Sequence, residues 1–181
     1  MSTVSKRQDA VNHRTLPGAA SAGDPPSPRT AARTSAGDAF SELAVLVIRL
    51  HGQLGAAGDG LARPAGQTSA RWQVLAGAED GSRSVADVAR TLGLARQSVQ
   101  RVADLLEGDG LVAYAENPRH RRARLLLLTT AGRDVLTAIQ VRQRGWADRL
   151  GEEMGERQLR QASAVLERVL SLLTARRTRA G

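Results

Sequence analysis

From Asp38 onward the apolar residues recur at helical spacing, beginning with Phe40, Leu43, Val47, Leu50 and Leu54. This pattern predicts a long first helix with Asp38 as its N-cap. Residues 55–67, GAAGDGLARPAGQ, break the period and read as a connecting loop. No GK[ST] follows these glycines, so a phosphate-binding loop is the poorer reading. Thr68 or Ser69 caps a second helix through Trp72, Val74 and Leu75, which ends near AGAEDGS. In residues 84–112, SVADVARTLGLARQSVQRVADLLEGDGLV, the positions Val85, Val88, Ala89 and Leu92 make one short helical face. Gly93 ends it, and Val99, Val102, Leu105 and Leu106 make a second. Two short helices around a tight glycine turn form a helix-turn-helix.

The period then changes. Leu111 to Glu116 alternates as a strand does, and Arg124 to Thr129 is a second extended run. Between them lies NPRHRRAR, residues 117–124, so the basic cluster falls at the tip of a β-hairpin. A hairpin directly after a helix-turn-helix is a wing, with Leu125 to Leu128 anchoring its base and Arg119, His120, Arg121 and Arg122 at the tip. Arginines on a protruding loop grip phosphates or enter a narrow minor groove. A solvated basic turn is the plainer alternative, and the neighbouring helix-turn-helix favours the wing. Thr129 caps a further helix carrying Val135, Leu136, Ile139, Trp146 and Leu150. A last helix, from about Glu156, carries Leu159, Ala162, Leu166, Val169, Leu170 and Leu173.

In the second helix of the motif Val99, Val102 and Leu106 face the core, which leaves Arg96, Gln97, Gln100 and Arg101 outward and Ser98 at the margin. These residue types suit base edges: arginine is bidentate to guanine and glutamine to adenine.

Composition narrows the partners. The formal net charge of +8 favours a polyanion, and all but Lys6 of the 26 basic residues are arginine. Alanine and glycine are also abundant, which ties part of the arginine bias to coding-sequence composition. The chain holds no cysteine, so disulfides, thiolate metal sites and cysteine nucleophiles are excluded. The histidines are His13, His51 and His120, with no HExxH, GxSxG or paired-carboxylate spacing around them; the expectation is a non-enzyme without metal or cofactor. No apolar run reaches the roughly 18 residues of a membrane span and no signal-peptide h-region opens the chain, so a cytoplasmic protein away from membranes is expected. Residues 1–37 are rich in Pro, Ser, Thr, Ala and Gly without an apolar period, and read as a disordered basic tail.

The stretches TSARWQVL, VARTLGLARQSVQRVADLLEGDGLV and NPRHRRARLLLLTTAGR together resemble the MarR family of winged-helix transcription regulators, over about residues 38–175. The expected fold class is mostly α with a small β-hairpin wing: a winged helix-turn-helix domain plus a helical dimerisation region. On this reading 38–176 is the MarR-like domain, with dimerisation helices at 38–56 and 130–175 and the DNA-binding part at 68–129; residues 177–181 are a C-terminal tail. The family usually has an acid where this chain has His120, pairing with the arginine two positions on, here Arg122. The change removes that brace and makes the tip more positive. Ala95 stands where the family often has a serine or threonine cap.

The resemblance implies a homodimer, and the first and last helices independently offer more apolar surface than a winged-helix domain covers; a monomeric helical subdomain is the alternative. It also implies a dimeric repressor on double-stranded DNA, at a near-palindromic operator, released by a small aromatic or phenolic effector. His51 and Trp72 fall where they would line the effector cleft, although a core position suits Trp72 better and a surface one His51. Two other classes stay open: an architectural DNA-binding protein of low sequence specificity, and a winged-helix protein-interaction module.

Overall fold

A computed structural model describes residues 34–118, 120 and 122–179. Of the disordered tail expected over 1–37, residues 1–33 lie outside the described residues, as do Arg119 and Arg121, whereas residues 35–37 are helical and belong to the first helix. The chain divides within its first helix into two compact units, one ending at Ser41 and the other beginning at Glu42.

Helix α1 spans Ser35–Ala62, followed by a single 3-10 turn, Arg63–Ala65. Its cap is Thr34, whose hydroxyl accepts from the Gly37 N–H at 3.1 Å, so Asp38 stands in the first turn and is not the cap. The helix also runs through most of the stretch predicted as a loop. Gly58 is buried where a Cβ would stand 2.5 Å from Ser69 Oγ, so the glycine permits close packing of α1 on the next helix. Asp59 Oδ1 strengthens the junction by accepting from the Ser69 N–H at 2.6 Å. Pro64, which lacks an N–H, and left-handed Gly66 end the run.

The next helices are α2 (Ser69–Gly77), α3 (Val85–Leu92) and α4 (Arg96–Gly108). Thr68 Oγ1 caps α2 by accepting from the Arg71 N–H. A reciprocal capping box opens α3: Ser84 Oγ accepts from the Asp87 N–H while the Asp87 carboxylate accepts from the Ser84 N–H. Gly93, at φ 67°, supplies the left-handed turn between α3 and α4. Ala95 makes no side-chain cap, so the first amides of α4 have none.

The Ser84 hydrogen bonds, first from its side chain and then from its backbone, hold the Asp87 carboxyl below its ordinary range despite some desolvation. A carboxyl lowered on folding stabilises above its unfolded pKa, and that contribution is lost as pH falls through the folded value. Asp87→Asn, which removes the first-turn charge but leaves the Ser84 cap, is therefore expected to cost about 0.3–1 kcal/mol at neutral pH. The gap to wild type should close below about pH 4, as followed by urea unfolding at several pH values.

Strands β1 (Val112–Ala115) and β2 (Leu125–Leu128) pair antiparallel, with Val112 opposite Leu128 and Ala115 opposite Leu125. The hairpin is docked on the helix-turn-helix by a bridge between Ser84 and Leu125 and by the Leu126 N–H donating to Arg83 O at 2.9 Å. Leu126 and Leu128 enter the core, whereas Leu125 and Leu127 are half-buried, as strand alternation requires. Val74, Leu75, Val88, Val99, Ala103, Leu106, Leu126 and Leu136 form the centre of one core shared by α2, α3, α4, the hairpin and the helix that follows it. Leu105, predicted on the core face of α4, is 55% exposed. One residue turns a helix by about 100°, so the position before buried Leu106 points off the core.

Helix α5 spans Thr130–Met154 and α6 spans Glu156–Arg179. The helical backbone thus continues into the segment expected as a C-terminal tail from 177. Thr129 caps α5 by accepting from the Gly132 N–H at 3.0 Å. Apolar side chains of α1 and α6 stay uncovered in the single chain, including Ile48 at 71%, Leu170 at 63% and Leu173 at 53% exposure. No described helix is long and apolar enough to cross a membrane.

Candidate nucleic-acid interface

Helix α4 presents Arg96, Gln97, Ser98 and Arg101 to solvent, while Val99, Ala103 and Leu106 bury the opposite side. Gln100 is different. It is half-buried, and its Nε2 donates to Asp104 Oδ1 at 2.8 Å and to the Tyr114 hydroxyl at 2.7 Å. The Tyr114 hydroxyl in turn donates to Asp104 Oδ1 at 2.8 Å. Burial, then the Asp104 carboxylate, push the Tyr114 phenol far above its ordinary range, so it remains protonated.

The wing loop turns tightly on itself. The His120 N–H donates to Asn117 O at 3.1 Å, and the Ala123 N–H donates to His120 O at 2.9 Å. His120 and Arg122 are exposed in this loop. At its base the Arg124 guanidinium lies 4.9 Å above the Tyr114 ring centroid and donates to Tyr114 O at 2.9 Å. This cross-strand contact ties the two strands just inside the loop. A cleft of about 300 Å³ is lined by Arg96 and Gln100 of α4, Tyr114 of β1, and Arg122 and Arg124 of the wing. The helix and the wing thus offer their arginines to one concave surface.

Sequence reasoning missed Asp104, Tyr114 and Arg124. The i,i+4 spacing of Gln100 and Asp104 was visible, but Tyr114 joins them only because the hairpin folds back beside α4.

His51 and Trp72 come together elsewhere. They line a cavity of about 620 Å³ with Leu54, Leu61, Leu92 and Trp146, and with Arg83, Gln140 and Gln143 among its polar groups. His51 is exposed and Trp72 half-buried against the core. Among the described residues no cluster of His, Asp and Glu has metal-binding geometry.

Residues 67–123, from the cap of α2 to the wing loop, match the model of the MarR family. The chain is 31% identical over 151 residues to the transcriptional activatory protein BadR of Rhodopseudomonas palustris, covering 78% of this chain and 85% of BadR. The chain belongs to the MarR family. It is a DNA-binding transcription regulator, mostly helical with a two-stranded wing. The uncharacterized protein Rv2011c of Mycobacterium tuberculosis is 39% identical over 140 residues, 77% of this chain and 98% of that one. The structure of CouR from Rhodococcus jostii RHA1 bound to p-coumaroyl-CoA aligns with a TM-score of 0.63 at 25% identity, over 70% of this MarR-family chain and 90% of CouR.

Proposed function

We propose that this MarR-family chain works as a homodimer that reads a near-palindromic operator, with α4 of each subunit in a major groove and the wing loop on the adjacent backbone or minor groove. The observation that carries the reading is the shared cleft: Arg96 of α4 and Arg122 and Arg124 of the wing face one surface. A helix in the groove and a basic loop beside it is the arrangement by which such folds separate base contacts from phosphate contacts. Arg96, Gln97, Ser98, Gln100 and Arg101 are the proposed reading residues; Arg119, His120, Arg121 and Arg122 are the proposed wing contacts.

The test separates the two roles by binding titrations on an operator and on random duplex. Arg101→Ala is expected to cost roughly 1–3 kcal/mol on the operator and far less on random sequence. Arg122→Ala should weaken both alike and reduce the slope of log affinity against log salt by about one. Equal losses on both DNAs for Arg101→Ala would remove α4 from the groove. A specificity ratio well below roughly a thousandfold would favour the architectural reading.

The regulator is proposed to act as a repressor released by a small aromatic or phenolic effector in the cavity lined by His51 and Trp72. That cavity is mostly apolar with a few polar groups, as ligand sites are, and CouR is bound to p-coumaroyl-CoA. Activation is the second reading, favoured by the description of BadR as a transcriptional activatory protein. A transcription assay on the isolated promoter, with and without the protein, decides between them.

A further inference from the structure

The hydrogen bonds of Gln100 restrict what it can read. A carboxylate only accepts, so the group that Gln100 turns toward Asp104 must be its NH2 and not its carbonyl. An amide nitrogen carries two hydrogens, and here one goes to Asp104 and the other to the Tyr114 hydroxyl. The phenol spends its own hydrogen on Asp104 and completes the triangle. Gln100 Oε1 receives no hydrogen bond from the described residues. No described buried side-chain polar atom lacks a partner, so this oxygen is open to solvent.

A glutamine that recognises adenine in the usual bidentate way donates to N7 and accepts from N6–H. Gln100 has no hydrogen left for N7. The bases that offer a donor in the major groove are adenine through N6 and cytosine through N4, whereas guanine and thymine offer acceptors at the corresponding edge. We propose that Gln100 reads its base as an acceptor only, selecting adenine or cytosine against guanine or thymine, and that Asp104 and Tyr114 are the positioning residues that impose this choice. The inference rests on the proposed placement of α4 in the major groove. It also gives the wing a part in base selection: Tyr114 belongs to β1, and the Arg124 contacts hold it beside α4.

The test is selection of operator half-sites from a randomised duplex library by the full-length protein, comparing wild type, Gln100→Ala, Tyr114→Phe and Asp104→Ala. Wild type should show one half-site position at which adenine and cytosine are similarly enriched, each about tenfold over guanine and thymine. Gln100→Ala should make that position neutral. Tyr114→Phe and Asp104→Ala each free an amide hydrogen for N7, so adenine should gain about tenfold over cytosine. Asp104 is exposed, so its variant carries the test if Tyr114→Phe disturbs the hairpin. The proposal is overturned if the position neutralised by Gln100→Ala is already adenine alone in wild type, or if both positioning variants keep the wild-type ratio of adenine to cytosine. If Gln100→Ala leaves every position unchanged, Gln100 does not reach the groove, and the placement of α4 fails along with the inference.

Discussion

Gly132→Ala is expected to destabilise the fold by about 3 kcal/mol or more. Gly132 lies in the first turn of α5, directly over the end of the helix-turn-helix. A Cβ built there falls on the carbonyl oxygen of Leu111, far inside any real contact distance, with Leu128 Cδ2 also within 3.4 Å. Leu111 O cannot step aside. It accepts from the Thr129 N–H at 3.1 Å and is also 3.1 Å from the Thr129 hydroxyl, which lies 2.7 Å from Gly110 O. The same hydroxyl caps α5 through the Gly132 N–H. An added methyl therefore forces α5 away from the base of the wing, opens the knot of Thr129 hydrogen bonds and disturbs the packing of buried Leu111 and Leu128. For a chain of this length, 3 kcal/mol corresponds to a fall in Tm of roughly 6–12 °C, read by circular dichroism at 222 nm. Gly60→Ala is the control: it is exposed on α1 with nothing within 4 Å of an added Cβ. There alanine should stabilise by up to about 1 kcal/mol. A change below about 2 °C for Gly132→Ala would mean that the backbone relaxes and the close approach is not required.

The elements that the sequence marked clearly are those fixed by local chemistry. The left-handed Gly93 and the Thr129 cap act within one helical turn, so the break between α3 and α4 and the start of α5 could be placed from composition and spacing; the equally local capping box of Ser84 and Asp87 went unread. The extension of α1 beyond Gly55 could not. Its glycines carry the ordinary signal of a loop, and what keeps them helical is the close approach of Gly58 to Ser69 and Trp72, a contact between elements. Leu105 misled for a related reason: a run of two leucines near the end of α4 does not say which of them faces inward until the neighbours are in place. In the candidate interface, the outward residues of α4 followed from helical periodicity. The capture of Gln100 by Asp104 and Tyr114 depends on where the hairpin lies, and fourteen residues separate Gln100 from Tyr114. The convergence of His51 and Trp72 on one cavity likewise belongs to the packing of α1 on α2 and not to any motif.

Leu173→Asp is expected to yield a folded monomer with greatly weakened operator binding. In the single chain Leu173 is 53% exposed and Leu170 63%, and on α1 Leu46, Ile48 and Leu50 are at least half exposed. Each such side chain is worth about 1.5–3 kcal/mol when fully buried, and the proposed homodimer is what would bury them. Leu166 and Val169 lie on the same helical stripe but are already half-buried within the subunit, so a charge there would confuse a folding defect with an interface defect. Leu173 avoids that confusion, since the isolated subunit leaves it in water. Aspartate at 173 would place an unpaired charge in the subunit boundary, a cost of several kcal/mol that association must overcome. Two reading heads joined in one dimer bind neighbouring half-sites with an effective-concentration gain of about 10²–10⁴. The variant should therefore sediment as a monomer with unchanged helical content and lose roughly that factor on the operator. Its affinity for a single half-site should stay near that of wild type, because α4 and the wing are untouched. An intact dimer would remove this stripe of α6 from the interface. A monomer that still binds the full operator as tightly as wild type would separate DNA reading from dimerisation altogether.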